Sequence, residues 1–170
     1  MTAIELLVVL AIGAILLTVA VPSFVSLTQS NRVAGEINAF VGDLQFARAE
    51  AIKQGQPVTV CASSDGLNCL GAPNWQSGWI VFADPDSSQT RSSTELVIRK
   101  QPSWTSTDTF TASNGVSAFT YSRDGFAVSL PGTVTLTLHT SPLNANATRC
   151  VAVNLVGRQL VQTVNGSNCT

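Results

Sequence analysis

Apolar residues fill the start of the chain without separating into two faces. From Met1 to Leu27 the only charged side chain is Glu5, and no charge occurs between Leu6 and Asn31. As an α-helix at about 1.5 Å per residue, that uncharged stretch spans roughly 39 Å, enough to cross a hydrocarbon layer about 30 Å thick. The pattern therefore predicts a membrane-spanning segment over residues 1–27.

The pattern changes after Pro22, which removes the helical hydrogen bond to the carbonyl of Thr18. This predicts a kink or local loosening between Gly13 and Pro22. Over residues 28–55, apolar side chains recur every three or four positions and predict an amphipathic helix whose buried face consists of Val33, Ile37, Phe40, Val41, Leu44, Ala47, Ala51 and Ile52. Charged residues fall mostly on the other side of this helix, at Arg32, Glu36, Asp43 and Lys53. Gly55, followed by Gln56 and Pro57, ends the helix.

The remainder of the chain, residues 56–170, has the short alternating segments and turn residues of β-structure. The predicted strands are Val58 to Ala62, Trp79 to Ala83, Glu95 to Lys100, Phe119 to Ser122, Thr133 to His139, Arg149 to Leu155 and Gln159 to Thr163. No internal repeat or second domain is apparent. The prediction is an α+β fold in which a long, kinked N-terminal helix packs on an antiparallel, β-rich head.

Charge is sparse in this chain, with 11% of residues charged and a net charge of −1. Beyond Gly55, six basic residues balance six acidic ones. A neutral head argues against strong non-specific DNA binding, although a local basic patch stays open.

Four cysteines follow the apolar segment, and three pairings are open to them. The pairing Cys61 with Cys69 and Cys150 with Cys169 closes two local loops, and we expect this one. Disulfides imply an oxidising compartment, either the periplasm or the cell surface. A structural zinc site is the alternative, but the spacing lacks a close pair of cysteines, so we predict no metal.

Glu5 is out of place in a plain membrane anchor, because an unpaired carboxylate at the edge of an apolar helix costs a few kcal/mol. The Met1 amine of the same chain has poor geometry for a direct contact. In a staggered array of helices, Glu5 of one subunit would instead meet the Met1 amine of the next. The alternative leaves Glu5 unpaired at the level of the lipid headgroups.

The opening MTAIELLVVLAI, residues 1–12, resembles the start of a mature type IV pilin or type II secretion pseudopilin. Met1 replaces the usual Phe of that family, and Ala3 replaces the usual Leu. The resemblance implies that a prepilin peptidase exposes and methylates Met1. It also implies an inner-membrane helix with a periplasmic head before assembly, and contacts with other pilins or pseudopilins through Glu5 and the helix around Pro22 afterwards.

A second block, DLQFARAEAIKQGQPVTVC from Asp43 to Cys61, is similar to the junction between helix and first strand in H-type pseudopilins and in FimT and FimU pilins. The segment WQSGWIVFAD, residues 75–84, is similar to their next strand. Here Ala47, Ala49 and Ala51 would allow close approach of helix and sheet, with Trp79 and Phe82 supplying buried area.

The resemblance favours a FimU- or FimT-type minor pilin that acts when assembly of a type IV pilus is initiated. An H-type minor pseudopilin of type II secretion, a major pilin and a DNA-binding competence pilin are the alternatives. The mature location would be an extracellular pilus or a periplasmic pseudopilus.

Candidate chemistry elsewhere is weak. His139 ends a strand with no Cys or acid at ligand spacing, so it is interpreted as a surface or edge residue. Asp84 and Asp86 flank Pro85 as in an ordinary turn, with calcium as the lesser alternative. The sequence contains no phosphate loop or nucleophile motif, so we expect no enzymatic activity and no cofactor.

DNA contact would depend on the C-terminal hairpin, where FimT-type competence pilins carry a Gly-Arg-x-Arg motif. This chain has Gly157, Arg158, Gln159 and Leu160, so the second arginine is missing. Arg149 and Arg158 near each other across a hairpin would give only weak, salt-sensitive binding. We therefore expect no DNA binding at physiological salt.

Overall fold

The computed structural model describes residues 2–163 and Cys169. It begins with one helix of 52 residues, α1 (Ala3–Gln54). Thr2 caps its N-terminus, and Gly55 ends it in a left-handed conformation, φ 68°, that glycine adopts without steric cost. Within the described residues nine strands follow: β1 (Val58–Ala62), β2 (Trp79–Ala83), β3 (Val97–Gln101), β4 (Thr109–Ala112), β5 (Ala118–Tyr121), β6 (Ala127–Val128), β7 (Val134–His139), β8 (Arg149–Val153) and β9 (Gln159–Thr163).

The strands form two antiparallel sheets. The first sheet has the order β3-β2-β1-β5-β6, and the second has the order β4-β7-β8-β9. Short 3-10 turns over Trp75–Ser77, Ser113–Gly115 and Ala145–Ala147 connect strands. The α+β prediction is confirmed, with a long helix followed by an antiparallel head.

The core lies between the second half of α1 and the two sheets. Phe40 of α1 is its centre, because its ring meets those of Trp75, Trp79 and Phe110 edge-to-face at centroid distances of 5.2, 5.2 and 5.0 Å. Such aromatic pairs contribute about 0.5 to 1.5 kcal/mol each beyond the area they bury. The fully buried Trp79 and Phe82 supply large buried area, as expected.

Each predicted strand is present, with ends that match the prediction or differ from it by at most two residues, as where β3 begins at Val97 and not at Glu95. Two strands were not predicted. β4 has only one buried side chain, that of Phe110, among polar neighbours, and β6 has two residues. Neither segment has the repeated alternation on which a strand prediction depends.

Three assignments on α1 were wrong. Ala49 is exposed because it lies about 200° around the helix from the buried Ala47. Ile52 is 53% exposed, since its side chain lies against the turn at Gly125 and not in the core. Asp43, placed on the polar side from sequence, is buried because it accepts hydrogen bonds from the head.

Candidate assembly site

The N-terminal half of α1 is exposed along its length. Every residue from Thr2 to Thr28 whose side chain is described is exposed, apart from the half-buried Gly13, and Gln29 is the first buried one. The helix is long and apolar enough to cross a membrane, and no part of its most apolar stretch is buried in the protein. This bare apolar surface needs lipid or other helices around it.

Glu5 is held locally by a capping box. The Thr2 backbone N–H donates to Glu5 Oε2 at 3.3 Å, and the Glu5 backbone N–H donates to Thr2 Oγ1 at 3.4 Å. Neither alternative weighed from sequence included this arrangement, although the spacing Thr-x-x-Glu is its recognised signal. The carboxylate is thereby fixed at the positive end of the helix. Met1 lies outside the described residues, so the roles assigned to its amine and its methylation stay predictions.

Helix α1 is continuous through Gly13 and Pro22, and the kink or local loosening expected there stays a prediction. Pro22 still leaves the carbonyl of Thr18 without an amide donor four residues on. Nearby hydroxyls are satisfied within the helix. Thr18 Oγ1 donates to the carbonyl of Ile15 at 2.7 Å, and Thr28 Oγ1 donates to that of Val25 at 2.8 Å. The apolar segment therefore exposes few unpaired hydroxyl donors.

The head contacts α1 through polar groups just beyond the bare apolar segment. Arg32 Nε and Nη2 donate to the two carboxylate oxygens of Asp108 at 2.9 and 2.8 Å, and the Ser141 N–H also donates to Asp108 at 2.8 Å. Asn144 Nδ2 donates to Gln29 Oε1 at 3.0 Å. These contacts between α1 and the head could not be predicted from the sequence, because the residues that form them are distant along the chain.

Glu36, one turn after Arg32, is part of the same region. Its Oε1 accepts from Ser106 Oγ at 3.2 Å, whereas its buried Oε2 has no hydrogen-bond partner in the described chain. Burial, and next the charge of Asp108, raise the pKa of this carboxyl above its ordinary value.

Asp43 ties α1 to the first sheet. Its Oδ2 accepts from the indole Nε1 of Trp79 at 2.8 Å, and its Oδ1 accepts from Arg99 Nη1 at 2.7 Å. The Arg99 guanidinium also lies 4.1 Å from the ring centroid of Phe46. A buried acid on the helix therefore satisfies a buried indole and a cation from two neighbouring strands.

Both disulfides join the cysteines expected from sequence. Cys61 of β1 is bonded to Cys69, and Cys150 of β8 is bonded to Cys169, with Cα atoms 5.5 and 5.9 Å apart. Each bridge closes a local loop beside one of the two sheets. Neither bridge links the helix to a sheet, so the contacts between them depend on packing.

Arg149 and Arg158 do not come together, so the paired basic site considered from sequence was wrong. In the β8–β9 hairpin Arg149 pairs with Thr163 at the open end, whereas Arg158 precedes Gln159 at the turn. Four residue steps along β8 separate these ends by roughly 13 Å. Arg149 Nη1 is also bound to the carbonyls of Asn146 and Thr148, both at 2.8 Å.

His139 is half-buried at the end of β7, an inner strand, so of the two placements expected from sequence, surface or edge, the edge was wrong. The unpredicted β4 covers that side, where Thr109 pairs with His139. His139 Nδ1 is buried without a partner in the described chain. The ring lines an open groove of about 340 Å³ with Thr111, Ala112, Ser113, Thr135, Thr137 and Cys169.

Asp84 organises the turn after β2. Its carboxylate accepts from Thr59 Oγ1 at 2.6 Å, from the Ser88 N–H at 2.9 Å and from the Gln89 N–H at 3.1 Å. Burial raises the pKa of Asp84, while a hydrogen bond to Asp84 lowers the pKa of the exposed Asp86. Because these donors hold the Asp84 carboxylate in place, its role in the turn is structural, in line with the turn interpretation.

A family model for the type II transport protein GspH matches residues 36–157. The match covers most of the chain, from the second half of α1 to the β8–β9 turn. The chain belongs to the GspH family. No curated protein sequence matches this GspH-family chain. The bare apolar segment lies outside the matched residues, whereas Asp43 and both residues it binds lie within them.

Solved structures similar to this GspH-family protein include two crystal forms of the type IV minor pilin FimU from Pseudomonas aeruginosa. One has a TM-score of 0.59 at 21% identity and covers 81% of this chain and 99% of the FimU chain. The other has a TM-score of 0.62 at 20% identity and covers 85% and 99%. These similarities establish the pilin fold, and the resemblance inferred from the sequence is confirmed. Family and fold are those of a structural, pilin-like subunit.

Proposed function

We propose that this chain is a filament subunit that assembles through the N-terminal half of α1. The observation that carries the proposal is the bare apolar segment, residues 2–28, which projects from a head with a buried core of its own. Before assembly, residues 1–27 anchor the chain in the inner membrane with the head in the periplasm. On assembly, neighbouring helices replace lipid around the same surface, and residues 28–55 hold the head.

The specific role we propose is that of a FimU-type minor pilin at the initiation of a type IV pilus. The shared pilin fold and the N-terminal pattern support this role. Prepilin peptidase would process the chain to expose Met1. Secretion is the second candidate, because the matching family model describes a type II transport protein. In that case the chain is a minor pseudopilin of a periplasmic filament.

Filaments sheared from the surface of the native cell distinguish these roles. Mass spectrometry of the purified filaments quantifies this chain and reads its N-terminal residue. A trace amount with methylated Met1 supports the minor pilin, whereas a dominant amount makes the chain a major pilin. Absence from surface filaments, with presence in the secretion pseudopilus, favours the second candidate.

Glu5 is proposed to pair with the Met1 amine of the adjacent subunit, since an unpaired carboxylate among apolar helices is costly. Glu5→Ala should leave membrane insertion intact and strongly reduce incorporation into filaments. Thr2→Ala is the matched control, because it removes the cap hydroxyl and keeps the carboxylate. Normal incorporation of Glu5→Ala would refute the pairing, and equal loss in both variants would assign the effect to the cap.

A further inference from the structure

The two sheets end in four edge strands, and in the described part of the chain three of these are protected. β3 carries Arg99 and Lys100 and pairs with β2 through a register shift. β4 forms a bridge to Asn74. β6 has two residues, and its Ala127 N–H donates to the carbonyl of Leu155. Charge, irregular pairing, short length and coverage are the usual means by which proteins prevent edge strands from pairing with other chains.

β9, the fourth edge strand, has none of these protections among the described residues. Its sequence QLVQT contains no charge, no proline and no glycine, and it pairs with β8 over five consecutive residues without a shift. Leu160 and Val161 are 43% and 44% exposed. A regular, uncharged and partly apolar edge is suited to accept a further strand.

The hydrogen-bond pattern of the β8–β9 hairpin shows which backbone groups of β9 point away from β8. The Asn154 N–H donates to the carbonyl of Arg158, so these two residues form a hydrogen-bonded pair beside the turn. Hydrogen-bonded and non-hydrogen-bonded pairs alternate along an antiparallel ladder. Leu160 and Gln162 therefore bond to β8, whereas Gln159, Val161 and Thr163 direct their N–H and C=O groups away from it. No described residue bonds to these outward groups.

We propose that the free edge of β9 binds an extended segment of a neighbouring pilin-like subunit as a fifth strand of the second sheet. This row of outward donors and acceptors, to which no described residue bonds, is complementary to extended backbone. The choice of a neighbouring subunit rests on the proposed function, in which heads lie side by side in a filament.

Charge defines the segment that fits. β9 itself is neutral, but Arg158 directly precedes it and Arg149 pairs with its last residue, Thr163. An added strand of about five residues would place one end near Arg158, whereas Arg149 lies one strand further away on β8, with its Nη1 bound to the carbonyls of Asn146 and Thr148. The complementary segment is therefore uncharged along its length, apolar at alternate positions and acidic at the end that meets Arg158.

Amide hydrogen exchange of the full chain, dispersed in mild detergent and assembled in filaments, tests the proposal. The Val161 and Thr163 amides should exchange fast in the dispersed chain and about 100-fold more slowly in filaments, and the Leu160 and Gln162 amides should be protected in both. Fast exchange of Val161 and Thr163 in filaments would overturn the proposal. Protection already present in the dispersed chain would also overturn it, because the chain itself would then cover the edge.

Val161→Pro blocks the free edge without removing a bond to β8, because the lost N–H points outward. We expect unchanged thermal unfolding of the dispersed chain and at least about tenfold lower incorporation into filaments. Val161→Thr, which keeps the N–H and β-branching, should incorporate normally. Equal incorporation of both variants would contradict the proposal. If the proline variant unfolds the head, hydrogen exchange of the unmodified chain still decides.

Failure of this proposal is distinguishable from failure of the proposed function. If the unmodified chain does not enter filaments at all, the filament role itself fails. If it enters filaments and its outward β9 amides still exchange fast, only the added strand is refuted.

Discussion

The hydrogen bond between Trp79 and Asp43 should be a main energetic link between α1 and the first sheet. Asp43→Ala leaves the buried indole N–H without an acceptor, which costs about 1 to 3 kcal/mol. Loss of the ion pair with the half-exposed Arg99 adds about 0 to 1 kcal/mol. The higher helix propensity of alanine offsets roughly 0.5 kcal/mol of this destabilisation. We therefore expect a net destabilisation of about 2 kcal/mol.

A double-mutant cycle isolates the Trp79 contribution. Trp79→Phe removes the donor, so Asp43→Ala should cost about 1 to 3 kcal/mol less in that background than in the unmodified chain. Urea unfolding of the full chain in mild detergent, followed by the fluorescence of Trp75 and Trp104, measures all four proteins. Asp43→Asn is the matched control because it keeps an acceptor for the indole. A coupling energy below about 0.5 kcal/mol would refute the assigned role of the bond.

Three further predictions concern a turn, with a helix glycine as its control, a half-buried acid and DNA. Gly157→Ala should destabilise by about 2 kcal/mol or more, because φ is +75° and a Cβ would lie 2.5 Å from the Gly125 carbonyl oxygen. Gly35→Ala, in open space on α1, should instead stabilise by about 0.5 to 1 kcal/mol in the same unfolding assay. Because the pKa of Glu36 is raised, Glu36 stays protonated in the folded chain at pH values above its ordinary pKa of 4.5. The stability of the folded chain therefore falls as the pH rises through the raised pKa. Glu36→Gln should therefore raise the melting temperature at pH 7, with the gain vanishing near pH 4, and a gain constant across this range would contradict that cause. In gel shifts at physiological salt we expect no DNA complex, and a clear shift abolished by Arg158→Ala would contradict this.

The sequence predicted those elements that have a strong period. The face of α1 from Val33 to Ala51 and the alternation in β7 both follow from the spacing of apolar residues, because burial on one side imposes that spacing. β4 could not be found in this way, since only Phe110 is buried and its pairing with β7 is decided by tertiary contacts.

The polar contacts at the base of the head were less accessible to sequence reasoning. Asp43 and Asp108 are acids that composition places on the surface, and both are buried because partners far along the chain satisfy them. By contrast, the capping box of Thr2 and Glu5 is local, and its spacing was legible in the sequence. Long-range polar pairs need the fold before they can be recognised.

The placement of the two disulfides has a consequence for maturation. Cys61 and Cys69 are 8 residues apart, and Cys150 and Cys169 are 19 residues apart. Closing either of these short loops therefore has a low entropic cost. As the chain emerges into an oxidising compartment, the first pair can close before the second has been synthesised. The order of emergence therefore favours the native pairing over the two crossed ones, and the mature chain should depend little on disulfide isomerisation.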